Sequence, residues 1–269
     1  MNVDVVLLPR DLRPDAHLAG RAVAVFDVLR ATTTMAAALA AGVSEIRLFG
    51  DLASARAAAD ASAAVTADAE CDAAAAVTAG ANRDAADRRS ATRLLVGEQA
   101  CLAPPGFDLG NSPGAFDAAP HRGATVFMCT TNGTRALLAA RSADFVFTAA
   151  VVNAAAAARA LARTGRDITL LCAGTNDQVA MEDAIGAGAV IDALRTLGPV
   201  APASDAARLA ERAFDSARHD LRSVFRDTAG GRNIIAAGLD ADINFAARLD
   251  ALDTVGRAAG EPLTVRRVE

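Results

Sequence analysis

Asp27-Val-Leu-Arg30-Ala-Thr32-Thr33-Thr34 follows the apolar run Val23–Phe26 and leads into an Ala-rich stretch. This reads as a buried strand ending on a carboxylate. A loop then brings a guanidinium and three hydroxyls to a helix start. The first turn of a helix leaves N–H groups unpaired and carries the positive end of the dipole, so it favours anions. A carboxylate beside that cradle would repel an anion unless a cation sits between them. The chemistry expected is metal-assisted work on a phosphorylated substrate.

Three further loops are unusually polar: Gly97–Gly114, Thr130–Arg135 and Gly174–Asp183. Each follows a strand-like run, where α/β folds gather ligands. Thr130-Thr131-Asn132-Gly133-Thr134 offers hydroxyls, an amide and close backbone approach, which suits phosphate or sulfonate oxygens; a plain helix cap is the other reading. Arg30 and Arg135 are candidates for an anion clamp, or for the surface in so Arg-rich a chain. Glu98 is either a metal ligand or the buried partner of an Arg. Asp108 and Asn111 read as Asx-turn residues or as site residues. Glu182 and Asp183 suit the first turn of a helix as well as a metal. Oxygen donors of this kind match Mg²⁺.

A rival motif shares the third loop. Cys129 and Arg135 have the Cys-x5-Arg spacing of thiolate phosphatases, between a strand and a helix. No His precedes the Cys, and a Cys at a strand end is ordinarily just buried.

The elements that position these loops alternate strand and helix, which is the pattern of an α/β fold. Strands are expected at Val3–Leu8, Val23–Phe26, Ile46–Phe49, Leu94–Val96, Thr125–Cys129, Phe145–Thr148 and Ile168–Cys172, with one more near the end. Helices are expected at Thr33–Ala41, Arg135–Ala140, Ala154–Leu161, Ala180–Leu197, Ala203–Phe225, Asn233–Ala237 and Ala241–Leu249. Residues 67–89 have little to bury and read as an exposed insertion or mobile loop. Val23–Phe49 and Thr125–Thr148 share one order of elements. Residues 1–269 therefore form one catalytic unit, or two related lobes of about 1–120 and 121–269.

Bulk properties narrow the class. The chain has 269 residues, 52% of them hydrophobic, and a net charge of −5. That excludes a disordered chain and argues against a nucleic-acid partner. All 27 basic residues are Arg, so Schiff-base chemistry and a Lys-containing P-loop are unavailable. The four cysteines lack CxxC spacing, and His17, His121 and His219 are far apart and read as surface residues. No leader or long uncharged apolar span is evident, so a cytoplasmic protein without membrane contact is expected.

DVLRATTT (27–34), GFDLGNSP (106–113), TTNGTR (130–135), Cys172-Ala-Gly174 and Glu182-Asp183 occur in that order. Together they resemble the 2-phosphosulfolactate phosphatase family, of the ComB type, over about Val3 to Leu249. The resemblance implies a three-layer α/β/α fold and a homodimer. It implies Mg²⁺-dependent hydrolysis of 2-phospho-3-sulfolactate, a small phosphorylated, sulfonated and carboxylated acid, toward coenzyme M. Catalytic roles then fall to Asp27, Arg30, Glu98, Asp108 and Asn132. Substrate binding falls to Thr32, Thr33, Thr34, Asn111, Ser112, Thr130, Thr131, Gly133, Thr134 and Arg135. Metal binding falls to Asp27, Glu98, Glu182 and Asp183. One departure stands out: Gln99-Ala-Cys101 follows Gly97-Glu98 where the family usually has an Arg and then glycines. A catalytically silent anion-binding homologue is the alternative this leaves open.

Overall fold

The computed structural model describes residues 1–63 and 92–268. The expected insertion at 67–89 lies outside the described residues. Among them, ten strands form one sheet. They are β1 (Asn2–Val6), β2 (Arg21–Phe26), β3 (Glu45–Leu48), β4 (Arg93–Gly97), β5 (Thr125–Cys129), β6 (Phe145–Ala149), β7 (Asp167–Cys172), β8 (Ala201–Pro202), β9 (Gly256–Ala259) and β10 (Thr264–Arg267). Their order is β4-β5-β3-β10-β9-β6-β2-β7-β1-β8. Two parallel groups, β4-β5-β3 and β6-β2-β7-β1-β8, are joined by the antiparallel hairpin β9–β10. One terminal strand was expected at the sequence level. The hairpin is the addition, and Gly256 and the alanines of β9 give little strand signal of their own.

The sheet is buried on both faces, which is why its strands are apolar runs rather than alternating ones. Ala22, Ala24 and Phe26 of β2 face one core, with Ile168 and Leu170 of β7. Val23 and Val25 face the other, with Ile46, Val126 and Met128. Helices α1 (Ala31–Ala40) and α2 (Gly133–Ala140) supply Met35, Leu39 and Leu137 to the second core. Helices α3 (Ala154–Arg163), α4 (Met181–Leu197) and α5 (Asp205–Ala217) cover the first, with Leu161, Ile185 and Phe214. The result is the expected three-layer α/β/α arrangement. Every residue from Ala31 to Leu39 is buried, so α1 needs no polar face.

Three short helices finish this side: α6 (Leu221–Asp227), α7 (Ala229–Ala236) and α8 (Asp240–Ala246). The single helix expected at Ala203–Phe225 is two, α5 and α6. The Asp220 carboxylate accepts the Ser223 N–H and starts a new helix, a local competition that amphipathic spacing does not register. His17 corrects another expectation, because it is 6% exposed. Its Nδ1 accepts the Arg13 N–H at 2.9 Å and its Nε2 lies 3.5 Å from Asp4, while burial lowers its pKa.

Register places the chemistry. Phe26 pairs with Ala149 and with Cys172, and Gly97 pairs with Cys129. The loops after β2 and β7 therefore leave together from the carboxyl ends of one parallel group, and those after β4 and β5 from the carboxyl ends of the other. Three antiparallel pairings between β3 and β6 reverse one group relative to the other, so the two sets of loops meet by packing rather than by a shared strand direction.

Candidate active site

The hydroxyls of the first loop are turned inward. Thr32 Oγ1 accepts the Asp27 N–H at 3.0 Å and donates to Asp27 O at 2.9 Å. Thr33 Oγ1 donates to Val28 O at 2.7 Å, and Thr34 Oγ1 to Asn111 O at 3.2 Å. All three threonines are fully buried, so they shape the loop rather than face a ligand. A loop hydroxyl and a ligand-binding hydroxyl look alike in sequence. Asn111 is itself buried, and its Oδ1 has no protein partner.

The β5 loop lies directly against the first one. A Cβ on Gly133 would fall 2.6 Å from Ala31 Cβ and 2.8 Å from Asp27 Oδ2, so only glycine permits this approach. Asp27 Oδ1 accepts the Ala31 N–H at 3.2 Å, and the Gly133 N–H also stabilises its charge. Asp27 thus joins the N-termini of α1 and α2. Thr130 and Thr134 hydroxyls lie 2.9 Å apart, and each accepts the other's backbone N–H at 3.1 Å. That is reciprocal capping, which leaves Thr131, Asn132 and Arg135 as the more accessible members of this loop.

Three carboxylates are buried together. Burial, with Glu98 and Glu182 adding repulsion, pushes Asp27 up to about 7 against the pull of the Ala31 and Gly133 amides. Burial also raises Glu182 and Asp183, and Asp27 and Glu182 repel the Asp183 charge. Asp183 is a brace: its Oδ1 accepts the Val28 N–H at 2.8 Å and its Oδ2 the Gly174 N–H at 3.0 Å. Glu182 differs, because it is 1% exposed and its Oε2 has no partner. Gly230, at the start of α7, makes room for it; a Cβ there would stand 2.0 Å from Glu182 Oε1.

Arg30 is 3% exposed and held through both Nη atoms. Nη1 donates to Asp242 Oδ2 at 2.7 Å and to Ser112 Oγ at 3.2 Å, while Nη2 donates to Cys101 O at 2.6 Å. Glu98 Oε2 lies 3.6 Å from Nη2. Ser112 Oγ also donates to Asp242 at 2.8 Å. Asp242, in the first turn of α8, was missed by sequence reasoning, because an acid in a first turn already has a local explanation.

These groups frame a cleft of about 180 Å³, walled by Arg30, Glu98, Cys101, Thr131, Asn132 and Asn233. Thr131 Oγ1 donates to Glu98 Oε1 at 2.6 Å across it. Asp27 and Glu182 lie just behind the wall, next to Gly133 and Gly230. Asp108 stands apart: its Oδ2 accepts the Leu95 N–H at 2.7 Å and pins the GFDLGNSP loop to β4.

A family model described as 2-phosphosulpholactate phosphatase matches residues 6–261. The chain belongs to this family. It is 36% identical over 251 residues to a Parasynechococcus marenigrum protein, covering 92% of this chain and 90% of that one. It is 35% identical over 264 residues to one from Thermus thermophilus, covering 96% and 98%. It is 34% identical over 244 residues to one from Symbiobacterium thermophilum, covering 90% and 93%. All three carry the name "Probable 2-phosphosulfolactate phosphatase".

In this member of the 2-phosphosulpholactate phosphatase family, the Gln99 departure forms a tight turn. Gln99 and Leu102 bridge, Ala100 and Cys101 have φ of 50° and 68°, and the turn presents the Cys101 carbonyl to Arg30. The thiolate alternative is corrected. Cys129 packs against Leu95 and Phe127, and burial pushes its thiol up to about 11. The Arg135 side chain is 64% exposed and lies 4.0 Å from Asp177. Among the described residues burial raises the pKa of every cysteine thiol, Cys101, Cys129 and Cys172.

Mg²⁺ fits the donor set in part. Among the described residues no three His, Cys, Asp or Glu stand close enough to form a ready-made centre, so the four carboxylates expected to hold a metal do not converge. Asp183 spends its oxygens on amides, and Glu98 faces Thr131 and Arg30. Glu182 Oε2 is the one oxygen of these four carboxylates left buried without a partner, and Asp27, which meets the Ala31 and Gly133 amides, is a second oxygen donor that feels its charge. A hard cation that completes its shell with water and substrate phosphate suits such a pair. Among the described residues no helix is long and apolar enough to cross a membrane.

Proposed function

We propose that the chain is a phosphoric monoester hydrolase that converts 2-phosphosulfolactate to sulfolactate and phosphate. The observation that carries this reading is the contact of Asp27 with Gly133 beside a cleft walled by Arg30 and Glu98. It unites two loops that are about 100 residues apart in the chain. Family membership supplies the substrate.

Arg30 is oriented by Asp242, Ser112 and the Cys101 carbonyl before substrate arrives, so charge on the phosphoryl oxygens meets a fixed guanidinium. The start of α2 adds dipole and amide stabilisation. Glu98 accepts the proton of the water that attacks phosphorus, and the ester P–O bond breaks as the new one forms. The same proton then returns to the leaving alkoxide oxygen, which balances the step. Mg²⁺, held by Asp27 and Glu182, would neutralise phosphate charge and polarise the phosphoryl group. A cytoplasmic homodimer acting toward coenzyme M belongs to the same reading and rests on the resemblance alone.

Phosphate release from 2-phosphosulfolactate, with and without excess EDTA, tests it. Activity that chelator abolishes and added Mg²⁺ restores is expected. Full turnover in EDTA would remove the metal. Stabilisation by sulfolactate with no turnover under any metal would favour the silent binder.

A further inference from the structure

We propose that a second compartment, joined to the phosphate cleft through Asn132, receives the other acidic group of the substrate on Arg10 and Arg135. The inference rests on the phosphatase reading and concerns specificity, not the chemical step. A hollow of about 260 Å³ is lined by Arg10, Asn132, Arg135, Ala173 and Asp177. Asn132 also lines the phosphate cleft, so the two hollows are neighbours.

The two guanidinia come from separate elements. Arg10 lies in the turn Pro9–Asp11 after β1, and Arg135 is in the first turn of α2. Arg10 Nη1 donates to the backbone oxygen of Asp177 at 2.8 Å, which fixes its position without neutralising it. Asp177 is the one carboxylate in the lining, and its Oδ1 stands 4.0 Å from Arg135 Nη2, too far for a hydrogen bond. Two cations against one anion leave the compartment net positive. Planar guanidinium forks suit a sulfonate or carboxylate face. The Thr130 and Thr134 hydroxyls, expected to cradle this group, bond to each other instead. The task passes to the two arginines.

The test compares kcat/KM on 2-phosphosulfolactate, on 2-phospholactate, which has the carboxylate only, and on phenyl phosphate, which has neither. Arg10→Ala/Arg135→Ala is expected to lower the ratio of 2-phosphosulfolactate to phenyl phosphate activity about 100-fold, mainly through KM. Loss on 2-phospholactate as well assigns the carboxylate to the compartment; loss on 2-phosphosulfolactate alone assigns the sulfonate. Equal losses on all three substrates, or none, overturn the proposal. Arg135→Ala alone, altering an exposed side chain, keeps the test open if the Arg10 turn loosens. Asp177→Asn is the opposite-sign control. Residue 177 has φ of 56°, which Asn tolerates, and removing its charge should lower KM three- to tenfold. An unchanged or raised KM overturns the inference. If wild type hydrolyses none of the three, the phosphatase reading fails separately. Calorimetric titration with sulfolactate then decides the compartment: binding weakened tenfold or more in the double variant supports it, and equal or absent binding overturns it.

Discussion

Replacing Asp27 by Asn separates a cation-binding carboxylate from a structural cap. Asp27 is pushed from 3.8 up to about 7 by burial and by the charges of Glu98 and Glu182. Between those values the folded chain holds a proton that the unfolded chain has released. Stability of the metal-free protein therefore falls as pH rises from about 4 to about 7, and stays low above that. The gap between 3.8 and about 7 corresponds to at most roughly 4 kcal/mol. About 3 kcal/mol of this falls between pH 5 and pH 8, and at ~2 °C per kcal/mol for a chain of this size the unfolding midpoint should drop by up to about 5 °C over that range. Asn keeps the oxygen that accepts the Ala31 N–H but cannot ionise. The variant should lose one proton's worth of that slope and be more stable than wild type at pH 8 without metal. Mg²⁺ should raise the wild-type midpoint at pH 8, have little effect at pH 5 where the proton competes, and leave Asp27→Asn unmoved. Calorimetric scans in EDTA and in Mg²⁺ across this range give all three readings. Parallel pH profiles for the two proteins, or equal Mg²⁺ stabilisation of both, would refute the buried-carboxylate argument.

Asp242→Ala leaves Arg30 buried without its 2.7 Å partner; a loss of about 3 kcal/mol in urea unfolding is expected, with phosphate release falling more than tenfold. Cys129→Ser should retain turnover, because a thiol pushed to about 11 is ionised in only about one molecule in ten thousand at pH 7; inactivation would restore the thiolate route. Gly133→Ala forces a methyl against Ala31 and Asp27, so turnover should drop at least 100-fold in steady-state assays. Gly230→Ala should weaken Mg²⁺ stabilisation in thermal scans, because its Cβ would displace Glu182.

Much of the frame was legible from residue order. Val23–Phe26 ending at Asp27, and Thr125–Cys129 ending at the Thr130–Thr134 turn, are strands followed by helix starts, as read from apolar runs and caps. Such signals are local, and the backbone answers them within a few residues. The α5–α6 break and the β9–β10 hairpin were not legible. One depends on a single Asp220 cap, and the other on pairing partners far away in the chain.

What the sequence determined by itself is the set of loops at the carboxyl ends of strands, and the family they spell. Only the tertiary structure decided which polar atoms remain free. The hydroxyls of Thr32, Thr33, Thr130 and Thr134 satisfy buried backbone groups or one another, because a buried polar group left unbonded is costly. Packing also carried Asp242 from a distant helix onto Arg30, and left one Glu182 oxygen bare. Residue type fixes what a side chain can do, whereas its partners, set by folding, fix what it has left to offer.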